Sequence, residues 1–536
     1  MVDFSKWAAF TSQKTNRSLA GSRVFIEDEN KENNNNINNI NNINNSNNSN
    51  NSNNSNNSNN INSSNNSNVQ KFLQNAQSWG IIPVNSKEDA DFCVKICAKN
   101  LETNVDAPNL SGKDAIDYAQ NHMPVMRTLL NNLQENGLNL EGVRIAVCLV
   151  LEPKTAVLLR ELHAHGAIVG VFCGPDETDQ RVADQLKKEG ILVQANRDWS
   201  PEQTHEGALK LLDEIQPNII IDDGASFARL ASLERPQIAA NLIGVAEETT
   251  SGVRAFEAMQ KAGHLHYPVI AVNNSALKTD FDNRHGTGET CVTTMQQILG
   301  SECFNNAKVT VVGYGPVGRG FALRIRALGA KVTICDTNPV QSLRAVFDGF
   351  EAKNLECAVK ESNMIVSATG VRHTITLQNM QNMQENAILA VIGGIANEIA
   401  LDEIPDFKPV VGTAQRKIQV PCGPQITLIS EGDGTNYTTG GGNPIEIMDF
   451  SFAVQVSAVA YLLEHNGNKN GNSNKDGNGN KNNDNRLNSG IYQLPESSDN
   501  QIARIALAKR GYSASEANKN NGYKWDLTRF AEEANS

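Results

Sequence analysis

The chain has 536 residues, 59 acidic side chains against 47 Lys and Arg, a net charge of -12 and only 5% aromatic residues. A mildly acidic total without clustered Lys and Arg excludes a nucleic-acid-binding stripe, because phosphate partners demand concentrated positive charge. The longest uninterrupted apolar run, Ile145 to Leu151, is far short of a membrane span, and the opening MVDFSKWAAF lacks the basic flank and apolar core of a leader. The expectation is a cytoplasmic protein without nucleic-acid or membrane partners.

Asparagine is concentrated in two tracts, Asn33 to Asn68 and Asn466 to Asn488, with almost no apolar residue. Such segments bury too little surface to offset chain ordering, so both read as disordered insertions. Residues 1–69 are assigned to a disordered Asn/Ser-rich region, and roughly 450 residues remain for a large two-domain core. The nine cysteines are scattered; Cys93 and Cys97 lie close together, but no second Cys or His pair completes a zinc site, so no metal is expected.

Val69 to about Ser111 is polar and loosely patterned, and Lys113 to Glu135 reads as helix. Apolar strands then alternate with amphipathic helices: strands at Val143–Val150, Ala167–Cys173, Ile191–Ala195 and Asn218–Asp222, with helices between them. This alternation signifies βαβ units and a parallel sheet covered on both faces. It restarts with a helix at His285–Leu299 and strands at Lys308–Val312, Lys331–Cys335, Met364–Ser367, Ala387–Ile392 and Pro409–Val411. The fold class is therefore α/β, with two doubly wound Rossmann-like domains: a substrate domain over 70–284 and a nucleotide domain over 285–440. A small-residue and apolar helix within 441–465 returns to the substrate domain, and an Asn-rich insertion over 466–488 precedes a C-terminal tail over 489–536.

Lys308–Val312 runs directly into Gly313, Gly315 and Gly318, followed by a helix to Leu328 and a second strand ending at Asp336. Gly313 permits the tight turn, Gly315 lets backbone approach a pyrophosphate, and Gly318 lets helix and strand pack closely. The helix N-terminus supplies N–H groups to the phosphates. Asp336 lies at the usual distance to accept from a ribose 2′-hydroxyl, and its neutral neighbours Thr337 and Asn338 favour NAD over NADP.

The run VTVVGYGPVGRGFALRIRALGAKVTICDTNP resembles the NAD-binding segment of the S-adenosylhomocysteine hydrolase family. IIIDDG, GVAEETTSGV, VIAVNNSALKTDFDN, SATG and GIYQLP resemble its other landmarks in order, over roughly Lys113 to Ala508. The resemblance implies that bound NAD oxidises a ribose 3′-hydroxyl, which acidifies the C4′ proton so that a thiol is eliminated before water adds and the ketone is reduced. It implies Lys278 as the lysine beside the 3′-hydroxyl, with a pKa lowered by burial near the nicotinamide. Asp282 is its carboxylate partner, Glu248 the sugar-binding glutamate and Asp223 the carboxylate on the leaving side of the ribose. Thr249, Thr250, Asn283 and Asn436 match cofactor contacts. A small nucleoside substrate and a homo-oligomer, a tetramer, are also implied.

The departures concern the other half of the substrate. Val150 stands at a family histidine, Glu152 at a threonine and Lys154 at the adenine-reading residue. Gly394 and Asn443 stand at two further histidines, Thr287 at a cysteine, and the tail TRFAEEANS offers no counterpart for the family's C-terminal Lys and Tyr. His285 is either a substitute acid or a polar helix-start residue; His163 and His165 read as a solvated helix end. Two functions stay open: an NAD-dependent hydrolase of this type, or a catalytically altered NAD-binding regulatory homologue.

Overall fold

The computed structural model describes residues 4–28, 63–96, 101–104, 111–393, 397–410, 412–466 and 486–516. Most of the first Asn tract and nearly all of the second lie outside them, as do Gly394 and the chain beyond 516.

The first described elements correct the assignment of residues 1–69 to disorder and of 70–104 to the substrate domain. Phe4–Thr15 is a helix and Arg23–Asp28 a strand, β1; after the helix Ser63–Ser78 come β2 (Ile82–Val84), β3 (Phe92–Ile96) and β4 (Leu101–Asn104). They form a separate four-stranded sheet in the order β2-β1-β3-β4. Phe4, Trp7, Phe72 and Trp79 are each no more than 2% exposed, and Phe4 meets Phe72 and Trp79 edge to face at 5.4 and 5.3 Å. Burying such side chains is worth about 1.5–3 kcal/mol each, which is what holds these short elements in place. The aromatic cluster continues into the nucleotide domain through Cys291, Val292 and Phe321. Its members lie some seventy residues apart in sequence, so no local pattern reveals the pairing.

The substrate domain is a seven-stranded, wholly parallel sheet of β5 (Arg144–Cys148), β6 (Ile168–Phe172), β7 (Leu192–Gln194), β8 (Ile219–Asp222), β9 (Gly244–Glu247), β10 (Pro268–Ala271) and an edge strand, Gly490–Tyr492. From that edge the order is β10-β9-β8-β5-β6-β7. Strand order reverses between β8 and β5, so the crevice of this doubly wound sheet opens beyond their C-terminal ends, at Asp223 and Val150.

The nucleotide domain holds β11 (Lys308–Val312), β12 (Lys331–Cys335), β13 (Glu351–Ala352), β14 (Met364–Ser367), β15 (Ile388–Val391), β16 (Gln415–Gln419) and β17 (Gln425–Ile429), in the order β13-β12-β11-β14-β15-β17-β16. Within this sheet β16 is the antiparallel strand. The strand expected at Pro409–Val411 is not formed at Pro409 and Val410; Val411 lies outside the described residues. Proline cannot donate to a ladder, and the β16–β17 hairpin supplies the edge instead.

The chain crosses between domains twice. It leaves through Lys278–Thr287, a run of wide π-type turns that continues into the helix Gly288–Leu299, so this crossing starts earlier than the helix expected at His285. It returns through Ile445–Glu464. That helix is long and apolar enough to cross a membrane by length and composition, yet 83% of its apolar window is buried within the protein, where it packs on the helix Pro124–Glu135.

Candidate active site

The glycine turn has the geometry a dinucleotide requires. Gly313 has a φ of 95°, and a Cβ there would lie 2.8 Å from the carbonyl oxygen of Ala368. At Gly318 a Cβ would lie 1.9 Å from the Gly313 carbonyl oxygen, whereas a Cβ on Gly315 would meet nothing within 4 Å. Two glycines thus serve close packing, and the third leaves open space in front of the helix Pro316–Ala327. Asp336 is already engaged: its carboxylate accepts from the Tyr314 and Asn338 backbone N–H groups at 2.7 and 2.8 Å. It ties the end of β12 to the turn and keeps its remaining lone pairs for a ribose.

The first crossing carries the densest polar cluster. Lys278 Nζ lies 2.8 Å from Asp282 Oδ2 and 3.6 Å from Glu248 Oε1, and it donates to Asn283 Oδ1 at 2.9 Å. Asn283 in turn donates to Asn273 Oδ1 at 3.1 Å, which also accepts from Thr250 Oγ1 at 3.1 Å. Ser451 Oγ, from the returning helix, donates to Asp282 Oδ2 at 2.7 Å, and Asn443 Nδ2 donates to the other oxygen. Asn443 Oδ1 accepts from Asn436 Nδ2 at 2.8 Å, and Gln455 Nε2 donates to Glu248 Oε2. The structure therefore brings Lys278, Asp282, Glu248, Asn283, Thr250 and Asn436 into one network, together with Asn443 and with Asn273, Ser451 and Gln455, members that the residue pattern did not single out. Two acceptors are left over, Gln455 Oε1 and Glu248 Oε1. Glu248 Oε1 is buried without a hydrogen-bond partner, which costs about 1–3 kcal/mol and suits a site that takes a donor from a ligand.

Asp223 and Thr249 stand at the neighbouring strand ends. Buried Asp222 accepts from the Phe227 and Ala228 backbone N–H groups at 3.2 and 2.8 Å. Glu247 accepts from Gly224 and Ala225 at 3.0 Å and from Thr249 Oγ1 at 2.8 Å. These two carboxylates fix the turns, so that Asp223 faces the crevice. Thr249 caps the next helix, and its role is thereby partly structural.

Beside this network lies an open cavity of about 900 Å³ lined by Asn16, Val150, Glu152, Lys154, Glu177, Tyr437 and Gly440–Gly442, among others. Gly442 joins the two regions, being the neighbour of Asn443 and so close to Glu152 that a Cβ would lie 2.7 Å from its Oε2. Lys154, 1% exposed, pairs with Glu152 Oε2 at 2.7 Å. Leu151 N–H donates to the Glu177 carbonyl at 3.0 Å, which sets Glu177 on the strand extension next to Val150. Burial between the cavity walls, with Asp223 and Asp433 nearby, pushes the Glu177 carboxyl up to about 8. Solvent in the open cavity still reaches this exposed side chain, which moderates the shift.

Comparison with known proteins gives the same two regions. The S-adenosyl-L-homocysteine hydrolase model matches residues 104–234, and the model of that enzyme's NAD-binding domain matches 290–442. S-inosyl-L-homocysteine hydrolase of Methanopyrus kandleri is 34% identical over 428 residues, covering 78% of this chain and 96% of that protein. Adenosylhomocysteinase of Thermococcus kodakarensis is 36% identical over 433 residues, covering 79% and 96%. The chain belongs to the S-adenosyl-L-homocysteine hydrolase family.

Within that family its nucleotide is NAD, and the open space at Gly315, the Asp336 carboxylate and the polar set around Asn283 fit it. The charge on Lys278 is governed by its carboxylate neighbours. Burial does oppose the charge on Lys278, but Asp282 and Glu248 outweigh it and hold the ammonium above its ordinary pKa. Two carboxylates within 4 Å dominate a buried lysine. Glu248 itself is pushed up to about 7, by burial first, with Lys278 opposing and Asp282 adding to the shift. Asp223 is also raised by burial, against Thr249 and Lys278. His285 is no proton donor. Burial and the adjacent Arg324 and Arg284 lower it to about 3, and its Nδ1 lies 3.0 Å from Arg324 Nη2. The neutral ring accepts there, which makes it a packing residue of the crossing.

Proposed function

We propose that the chain is an NAD-dependent hydrolase that cleaves S-adenosylhomocysteine or a closely related nucleoside thioether. The observation that carries this reading is the buried Lys278–Asp282–Glu248 group, with the unpartnered Glu248 Oε1 available to a ribose hydroxyl. NAD supplies the hydride acceptor that makes the sugar a ketone and the hydride that restores it.

The side chains supply the proton movements. Lys278 Nζ is charged in the free site and becomes a base for the 3′-hydroxyl once a proton has passed to Glu248, 3.6 Å away, which leaves Asp282 able to accept the later proton. Glu248, near neutrality in its titration, anchors the sugar as donor or acceptor. Asp282 then serves as base for the C4′ proton. As that proton leaves, the C5′–S bond breaks and the departing sulfur needs a proton. Val150 cannot give one, whereas Glu177, set beside it on the cavity wall, can. Asp223, on the leaving side, directs the returning water.

Purified protein incubated with S-adenosylhomocysteine, and separately with S-inosylhomocysteine, should release nucleoside and thiol in equal amounts from at least one of them. Failure to release thiol from either, with no reduction of bound cofactor by adenosine or inosine, would overturn the reading. The expected tetramer is checked by light scattering on the same preparation.

A further inference from the structure

The N-terminal unit reaches the cavity through Asn16 and the two domain crossings through Arg17 to Ala20. These precede residue 104, where the family-model matches begin. Asn16, with a φ of 48°, lines the cavity and makes three side-chain contacts there. Its Oδ1 accepts from Lys154 Nζ at 2.6 Å, and its Nδ2 donates to the carbonyls of Gly441 and Gly442 at 3.0 and 3.3 Å. Its backbone carbonyl accepts from Ile445 N–H at 2.9 Å, the first residue of the returning helix.

The next four residues grip both domain crossings. Arg17 Nε donates to Glu446 Oε1 at 2.6 Å and Ser18 N–H to Glu446 Oε2 at 3.0 Å, at the start of the returning helix. Leu19 and Ala20 N–H donate to the two oxygens of Glu289 at 2.8 and 3.0 Å, at the start of the outgoing helix. Glu289 is fully buried and also binds Arg324 at 3.3 Å. Backbone-to-carboxylate bonds of this kind are the stronger class of hydrogen bond, and here four of the strap's donors are spent on the two crossings.

Lys154 has three N–H donors, and Glu152, Asn16 and the Gly441 carbonyl account for three. It is therefore not free to read a nucleobase. Its charge is committed to holding the Glu152 carboxylate, the cavity's hydrogen-bond acceptor, in one place.

We propose that Asn16 is a positioning residue for nucleoside binding, acting through Lys154 to fix Glu152 and the Gly441–Gly442 wall, and that Arg17–Ala20 is the strap that keeps it there across both crossings. The N-terminal unit is then a working part of the substrate site. This deepens the function proposed above and rests on it for the nature of the ligand.

Asn16→Gly is the informative variant, because its left-handed backbone suits glycine and only the side chain is lost. In the full-length, NAD-loaded protein it should raise the Kd for adenosine and the KM for the cleaved thioether about tenfold, with kcat within about twofold of wild type, a difference worth about 1.4 kcal/mol. Lys154→Ala should do the same, and the double variant should be no worse than Lys154→Ala alone, since one residue acts through the other. Asn16→Asp keeps the oxygen facing Lys154 but sets a second acceptor against the Gly441 and Gly442 carbonyls, so it should bind no better than Asn16→Gly. Unchanged Kd in Asn16→Gly overturns the proposal, as does a double variant whose losses multiply. Loss of kcat and KM together, with a lowered melting temperature, also overturns it, by reducing the strap to a folding element. Nucleoside affinity is measured by calorimetry and needs no turnover, so a wild-type protein that binds adenosine but cleaves nothing would sink the proposed function while leaving this inference to its own result.

Discussion

The sugar side and the base side of the site are built on different principles. Around Lys278 most polar atoms are bonded to a neighbour, the centre at Lys278, Asp282 and Glu248 is buried and dry, and the members come from the two crossings, the ends of β8, β9 and β10 and, for Asn436, the helix Thr435–Thr438. Around Lys154 the walls are open to solvent, and they come from the N-terminal unit, the ends of β5 and β6 and the Gly440–Gly442 run. A low-dielectric network magnifies each charge and tolerates little change, whereas an open wall can exchange its residues. Asn443 sits where the two sides meet: it donates to Asp282 in the dry network, and its neighbour Gly442 lies against Glu152 on the open wall.

The largest test of that contrast is Lys278→Ala. Two buried carboxylates would lose their cation and the 3′-hydroxyl its base, so oxidation of adenosine by the bound cofactor should fall about 10²- to 10⁴-fold. The measurement is the rate of cofactor reduction on mixing with adenosine. Retained NAD, assayed after denaturing the protein, separates this from collapse of the nucleotide domain. A variant that still oxidises adenosine at the wild-type rate would place the chemistry outside the dry network.

Much of this arrangement was legible before the fold was known, and the unread part has a physical cause. The glycine turn, the strand ends and the EETTSG and LKTDFDN runs are local: each residue acts within a few positions of its neighbours in sequence, so spacing alone exposes them. Asn16 was invisible because its partners are Lys154 and Gly441, 138 and 425 residues away, and because Asn beside an Asn tract carries no signal of its own. The Phe4–Trp7 helix was hidden for the same reason. Glu177 gave no pattern either; what distinguishes it is its place on the cavity wall near Asp223 and Asp433, a property of the crevice. The charge on Lys278 in the free site depends on Asp282, four residues along the same element, and on Glu248, which is distant in sequence and converges from another element.

The second test reaches across the boundary. Glu177→Gln removes the proposed proton donor and leaves the sugar network intact, so thioether cleavage should fall about 10²-fold while cofactor reduction by adenosine changes little. The acid must be protonated to act, and its carboxyl is pushed up to about 8. Wild-type cleavage should therefore decline as pH rises through about 8, and the glutamine variant should lack that limb. An alkaline limb that survives the substitution assigns the proton to another group.

The smallest effect is the sharpest probe of how rigid the dry side is. Ser451→Ala deletes one hydroxyl, 2.7 Å from Asp282 Oδ2, and leaves the Lys278 and Asn443 contacts to the same carboxylate. A single hydrogen bond to a charged group contributes about 1.5–3 kcal/mol when nothing replaces it, but here Lys278 already compensates Oδ2, so the lower end of the range is expected. That corresponds to a decrease of about tenfold in the rate of adenosine oxidation, read in the same mixing experiment, with nucleoside affinity unchanged. A negligible effect would mean that Asp282 is held by its lysine alone and that the returning helix contributes packing and no electrostatics. A loss as large as that of Lys278→Ala would mean that the network acts as one unit, in which no member can be removed without releasing the rest.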